Sequence, residues 1–242
     1  MTPIHPFTAT LIEKRSFCDG ISLFTFKITD FKLSFTPGQY VVLDVPSIPN
    51  PVKRLYSIAS SSAHSSSFEL LVKSVPGGVA SAYIDSFVFG QVASFSGPAG
   101  LFSYQESEKP KVFMATGTGF APIRSILSSL SKTDTTKKTL LWGLSSLKSV
   151  YLFSELLTLE KELPSFSFFY CLSQETSLTE IPAYFRHYFR LGRIDKMWEE
   201  LSDKQALDND YYFCGSRDVV ESLRLLFLSK NIAPASLRFE KY

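Results

Sequence analysis

Cysteine is scarce: Cys18, Cys171 and Cys214 are the whole complement, an odd number at wide spacing. That excludes a disulfide-stapled module and a metal site built on paired thiolates. It equally excludes an iron–sulfur cluster held by this chain, which needs four grouped thiolates, so any electrons handled here must pass to or from a separate carrier. Long apolar runs are absent too. The stretches 41–45, 88–95 and 225–228 fall far short of the roughly twenty residues that cross a bilayer, and no membrane span is expected. Residues 1–10 lack the charged head and continuous apolar stretch of a secretory signal; they read as a short irregular arm, and the cytoplasm is the expected compartment. An excess of one charge is missing as well, since 25 Lys and Arg against 23 Asp and Glu leave +2. Nucleic-acid binding by counterion displacement needs clustered cations, so any basic patch must be local.

What is present is apolar and aromatic side chain, at 45% and 14% of 242 residues, enough to offset the ordering entropy of one large domain or two compact ones. The first hundred residues read as short strands rich in β-branched and aromatic residues at 8–17, 21–28, 39–44, 53–59, 68–75 and 91–96, punctuated by Gly and Pro. Their close spacing predicts an antiparallel β-barrel of Greek-key type, with one helix at 79–87. Past Gly97-Pro98-Ala99-Gly100 and the polar stretch 105–109 the rhythm changes. Strands at 111–116, 139–143, 166–172, 211–214 and 236–239 alternate with helices at 121–130, 153–162, 195–201 and 217–229, the pattern of a parallel α/β sheet. Segments 60–67 and 173–193 read as long loops, and the domain reading is 1–104 and 105–242.

Four local patterns carry chemistry. Thr116-Gly117-Thr118-Gly119-Phe120-Ala121-Pro122 takes a strand through two glycines into a helix, where backbone amides and a partial positive charge suit a pyrophosphate. Pro122 stands where the common dinucleotide fingerprint has its third glycine, and an ordinary strand-to-helix turn uses similar letters. In Arg54-Leu55-Tyr56-Ser57, alternation puts Arg54 and Tyr56 on one face, where a guanidinium and an aromatic plate can address one bound molecule, although a half-exposed strand with a snorkelling Arg would look the same. Gly77-Gly78-Val79-Ala80-Ser81 opens the lone helix of the first half with bare amides, or is a plain turn. Cys214-Gly215 ends a late strand of the parallel sheet, at the carboxyl edge where α/β sheets bind ligands, or holds a merely packed thiol.

In this order and spacing the segments resemble the ferredoxin-NADP reductase superfamily of flavoenzymes, over nearly the whole chain. The resemblance implies that the first domain holds FAD, with Arg54 on the pyrophosphate, Leu55 and Tyr56 in the flavin strand, Ser57 near the flavin N5, and Gly77, Gly78, Val79, Ala80 and Ser81 offering amides. It implies that the second holds NAD(P)H through Thr116, Gly117, Thr118, Gly119, Pro122, Arg193, Cys214 and Gly215. The terminal Glu240-Lys241-Tyr242 is similar to the Glu-x-Tyr of plant-type members, in which the Tyr covers the flavin; Ser57, Cys214, Glu240 and Tyr242 are then the expected catalytic set, without a metal. Two positions depart from the arginines of NADP-preferring bacterial members, being Ser145 and Gln174, while Arg193 remains with Lys148 and Arg190 as substitutes. NADH and NADPH both stay open. The implied function is electron transfer between NAD(P)H and a one-electron carrier such as ferredoxin or flavodoxin. The alternatives are the reductase component of an oxygenase, a reductase of free flavin, or, in another class, a flavin-binding regulatory subunit without turnover.

Overall fold

Period-two burial makes the first strands. In β3 (Tyr40–Val45) the side chains of Val41, Leu43 and Val45 point into a common core while their neighbours stay half-exposed. Alternation recurs in parts of β1 (His5–Ser16), β5 (Ser67–Lys73) and β6 (Val92–Ala99), whereas β2 (Ile21–Lys27) is buried on both faces over its first four residues and the outer β4 (Val52–Ser57) has no fully buried residue. They pair antiparallel in the order β4-β3-β6-β1-β2-β5, and a bridge between Ile58 and Leu70 joins the two outer strands, so the sheet curls on itself. Inside, Phe26, Phe68 and Phe95 meet with ring centroids 5.1 to 5.5 Å apart, and α1 (Val79–Asp85) adds Ala80 and Ile84 to the same core. The first strand begins at His5, within the stretch that reads from the sequence as an irregular arm and three residues before the expected strand start, because Phe7 and Ala9 are buried against β6.

The computed structural model describes residues 4–46, 50–201 and 204–242. The chain divides into two compact units, Met1–Tyr104 with Arg124–Ser129, and Gln105–Ile123 with Leu130–Tyr242. The second unit is a parallel sheet of β7 (Lys111–Thr116), β8 (Lys138–Leu144), β9 (Phe166–Leu172), β10 (Phe189–Leu191), β11 (Asp210–Gly215) and β12 (Leu237–Lys241), in the order β10-β9-β8-β7-β11-β12. Strands β7 and β11 are buried along nearly their whole length, as expected where α2 (Phe120–Leu127), α3 (Phe153–Glu162), α4 (Ile194–Leu201) and α5 (Arg217–Ser229) connect parallel strands. The connection order reverses between β7 and β11. Such a switch point, at the carboxyl ends of the strands, is where open α/β sheets form a crevice for ligands.

Segment 173–193 is not one loop. It contains a 3₁₀ turn, Ala183–Tyr188, and then the edge strand β10, whose Phe189 stacks on Tyr170 of β9 at 5.5 Å. At the opposite end of the sheet two lysines are fully buried. Lys111 donates to the carbonyls of Ser107 and Lys109 and pairs with Asp210 at 3.1 Å; Lys138 donates to the carbonyls of Asp134 and Thr136 and pairs with the Asp134 carboxylate at 3.2 Å. Each ammonium replaces its water shell with loop oxygens, as a buried charge must. Among the described residues no helix is long and apolar enough to cross a membrane.

Candidate functional site

The loop after β7 lies at the switch point and is held from three sides. Gly117 has φ of +52°, a left-handed conformation that costs glycine little, and its carbonyl accepts hydrogen bonds from Trp142 Nε1 at 3.0 Å and the Tyr151 hydroxyl at 3.1 Å. Phe120, at the start of α2, stacks on Trp142 with centroids 4.0 Å apart. A side chain on Gly119 would collide with the backbone carbonyl of Cys214, and one on Gly215 would collide with the Thr116 hydroxyl. The two loops flanking the switch point therefore touch through bare backbone. Thr116, Gly117 and Thr118 remain half-exposed, while Gly119 and Pro122 are buried. The structure thus brings together Thr116, Gly117, Thr118, Gly119, Cys214 and Gly215 from two distant stretches of sequence. Trp142 and Tyr151, which fix the loop, escape a motif reading because each looks like an ordinary core aromatic.

Cys214 is buried and lies opposite Glu240 in the β11–β12 pairing. Burial first, and the neighbouring Glu240 carboxylate second, raise its pKa well above that of a free thiol, so it stays protonated. The chain end is tied to the same loop. Tyr242 N–H donates to the Gly215 carbonyl at 3.3 Å and its hydroxyl donates to the Thr116 carbonyl at 3.1 Å, while the residue as a whole remains 65% exposed.

In the first unit, β4 is an outer strand carrying Arg54 and Leu55 exposed and Tyr56 and Ser57 half-buried. Tyr56 packs one side on the barrel core, and Arg54 donates to the Lys53 carbonyl at 2.9 Å. Burial raises the Tyr56 pKa, against the lowering effect of Arg54, and keeps the phenol neutral. Helix α1 starts at Gly78 with no side-chain cap; Gly77 before it has φ of +73° and open space where a side chain would stand. The Ser81 hydroxyl instead braces the turn, donating to the Val75 and Gly78 carbonyls at 3.2 and 3.1 Å. Arg54 lies near enough for its charge to act on the Tyr56 phenol, and a guanidinium, a neutral aromatic plate and the amides of a helix start are the kinds of group that would engage a dinucleotide with a pyrophosphate and a flat ring.

The outlying nucleotide positions are less open than the sequence suggests. Ser145 is bonded to Ser149 at 2.7 Å, Gln174 N–H donates to the Ser145 carbonyl at 2.8 Å, and Glu175 accepts from Leu147 N–H at 2.8 Å. Arg190 lies over the Phe169 ring and donates to the His187 and Phe189 carbonyls; Arg193 is exposed and pairs with Asp195 at 3.3 Å. Lys148 is exposed.

A curled antiparallel unit with a dinucleotide donor set, followed by a parallel unit with a glycine loop at its switch point, defines a two-cofactor oxidoreductase architecture. Comparison with known families agrees: residues 8–104 match the oxidoreductase FAD-binding domain and residues 113–224 the oxidoreductase NAD-binding domain. The chain belongs to the ferredoxin-NADP reductase superfamily, whose members bind FAD in the first domain and a nicotinamide nucleotide in the second. It is 27% identical over 213 residues, 87% of its length, to the toluate 1,2-dioxygenase electron transfer component of Pseudomonas putida, and spans 60% of that protein. Ferredoxin–NADP reductase B of Sorangium cellulosum is 39% identical over 52% of the chain and 53% of its own length. Among solved structures, an Amycolatopsis cytochrome P450 reductase superposes over 100% of the chain and 71% of its own, at 26% identity and a TM-score of 0.87.

Proposed function

We propose that this chain takes electrons in pairs from NAD(P)H onto FAD and delivers them singly to a separate acceptor protein. The observation that carries the reading is the bare-backbone contact of Gly119 with Cys214 at the switch point, which sets a glycine loop directly against a neutral thiol where α/β sheets take their ligands. FAD, when bound, supplies the conversion of a hydride pair into single electrons. The chain's own groups bind and orient. Arg54 and the first turn of α1 meet the pyrophosphate charge, Tyr56 supports the ring system from the core side, and Ser57 offers a hydroxyl to the ring edge. Thr116, Thr118 and Gly119 receive the nicotinamide nucleotide, Cys214 shapes the pocket without ionising, and Glu240 stands beside it in the adjoining strand. Tyr242, resting on the Thr116 carbonyl, must leave that position for a nucleotide to take the loop fully.

The acceptor is best read as an oxygenase component. The relatives that align over 87 to 90% of the chain include the electron-transfer or reductase components of toluate, 2-halobenzoate and terephthalate dioxygenases and of propane monooxygenase, whereas the ferredoxin reductase aligns over 52%. A ferredoxin or flavodoxin acceptor is the second reading. The chain spans 60 to 62% of the length of these dioxygenase and monooxygenase relatives. Stopped-flow mixing of the FAD-loaded protein with NADH and then NADPH tests the core of the proposal: bleaching of the flavin band by at least one nucleotide is expected. No bleaching by either, in a protein shown to hold FAD, would leave the regulatory-subunit reading in its place.

A further inference from the structure

Helix α2 does two jobs along its length. Its first residue, Phe120, follows directly on the nucleotide loop, while its second half belongs to a clasp around the end of the flavin strand. Arg124 is 9% exposed, and its Nη1 donates to the Ala59 carbonyl at 2.7 Å and to Glu69 Oε2 at 2.6 Å. Next to it the fully buried Ser125 hydroxyl donates to the Ser60 carbonyl at 2.7 Å, and Ser129 accepts from Ser62 N–H at 3.0 Å. The clasped segment is the direct continuation of β4. Ser57 pairs with Tyr40, Ile58 bridges to Leu70, and Ala59 N–H donates to the Glu69 carbonyl at 2.8 Å. Glu69 N–H in turn donates to the Ser60 hydroxyl at 3.2 Å.

The chemistry of these partners is informative. A buried arginine on an otherwise apolar helix needs a carboxylate, but a surface ion pair would have served stability at lower desolvation cost. Arg124 instead spends one of its nitrogens on a carbonyl two residues beyond Ser57 and on a strand partner of that same segment. A planar guanidinium with two fixed acceptors defines orientation as well as distance, which a flexible ammonium does not.

We propose that Arg124, through Glu69 and Ala59, is a positioning residue for Ser57: it fixes the end of the flavin strand from the helix that begins at the nucleotide loop, so that hydride transfer depends on it although it touches neither cofactor. The inference rests on the proposed NAD(P)H-to-FAD reaction. A misplacement of about 1 Å at a reacting centre can cost on the order of a hundredfold in rate without loss of binding.

The test uses the full FAD-loaded chain with E69Q, R124K and, as a milder probe, S125A. Flavin reduction is followed by stopped flow over a range of nucleotide concentrations, together with the flavin visible circular dichroism and the melting temperature. Expected are a roughly tenfold or greater fall in the limiting reduction rate for E69Q and R124K, an altered flavin dichroism, and a nucleotide dissociation constant within about twofold of the parent. Reduction of the same variants by dithionite, which needs no positioned nucleotide, should be unchanged. If E69Q and R124K hold FAD and reduce at the parent's limiting rate, whatever their melting temperature, the positioning role is wrong. If either fails to hold FAD, S125A decides by the same two readouts, a lowered limiting rate supporting the role and an unchanged one rejecting it. Failure of the parent chain itself to be reduced by either nucleotide overturns the proposed function, and is thereby distinct from a failure of this inference.

Discussion

Cys214 lies opposite Glu240 with 4% of its surface exposed, and burial followed by that carboxylate holds it as a thiol. Because its pKa is raised, the neutral form persists through the range where free cysteines ionise, and the limiting rate of flavin reduction should show no step between pH 7 and about 9 attributable to this group. C214S should retain that flat profile at a lower rate; a parent profile with a step that C214S abolishes would show that a thiolate matters. Tyr242 invites the converse experiment. Its hydroxyl donates to the Thr116 carbonyl and the residue is 65% exposed, so under the proposed function it would compete with a nucleotide for the loop. Removing it by truncation after Lys241 should tighten nicotinamide binding about tenfold, equivalent to roughly 1.4 kcal/mol. Equilibrium titration with NADH and NADPH reads this directly, and unchanged affinities for both reject the competition. Arg54, exposed on an outer strand, is expected to matter more for FAD than for FMN, since a pyrophosphate gives a guanidinium two groups to hold. R54A should therefore weaken FAD more than FMN in flavin-fluorescence titrations.

At the scale of elements, the acid–base pairs at the amino ends of the parallel strands decide how the second unit responds to acid. Burial tends to raise the pKa of Asp134, but hydrogen bonds from Thr136 and the charge of Lys138 outweigh it and bring the carboxyl to about 2. Asp210 is likewise pushed up by burial and held below its usual value by Ser107, Lys111 and Arg238. A carboxylate with a depressed folded pKa stabilises the fold above its unfolded value, near 3.9, and that contribution disappears as pH falls through the folded value. Urea melts should thus steepen in their loss of stability between about pH 4 and pH 2. D134N should flatten that limb, while D210N, by leaving the Lys111 ammonium buried without its counter-charge, should cost about 3 kcal/mol at neutral pH. An unaltered acid limb in D134N would remove that carboxylate from the account. These pairs also show what sequence could and could not reveal. Elements with a clear period, such as Phe153–Glu162 and Arg217–Ser229, are read to the residue because apolar side chains recur at helical spacing. β6 continues to Ala99 through Gly97 and Pro98, which the sequence reads as a stop; the pairing shifts register between Tyr40 and Val42, and such irregularities are where a sheet tolerates Pro. β10 has three residues and no alternation to detect, and only its stacking on β9 makes it a strand. The glycines and Cys214 announced the switch-point loop, since their chemistry is local. The Arg124 clasp was invisible because its partners lie some sixty residues away in sequence; its only local sign is one cation in the apolar run Phe-Ala-Pro-Ile-Arg-Ser-Ile-Leu.

For the molecule as a whole, the proposed function requires an acceptor protein to find this chain. The formal charge is only +2, so long-range attraction must come from local cation clusters. The basic residues of the two units are largely answered from within. Lys14 pairs with Asp85, Lys53 with Asp44 and Arg193 with Asp195, while Arg186 donates to the Ile181 and Thr179 carbonyls and Arg190 is laid on Phe169. Ion pairs at this exposure add little stability, but they cancel much of the field that would steer an acidic carrier. The association rate with an acceptor should therefore decline only severalfold as ionic strength rises from about 20 to 200 mM, across which the screening length shrinks to under 10 Å. Apolar surface offers the alternative means of recognition: Val88, Phe89 and Val92, in and just after the turn between α1 and β6, are 68%, 80% and 56% exposed. Measured acceptor reduction that drops a hundredfold over that salt range, while ferricyanide reduction holds steady, would show that steering dominates and that charges paired in the free protein exchange partners on docking. A shallow slope together with slower acceptor reduction in F89S, at an unchanged rate of flavin reduction by nucleotide, would instead locate the encounter on apolar contact, as befits a protein with so little net charge to offer.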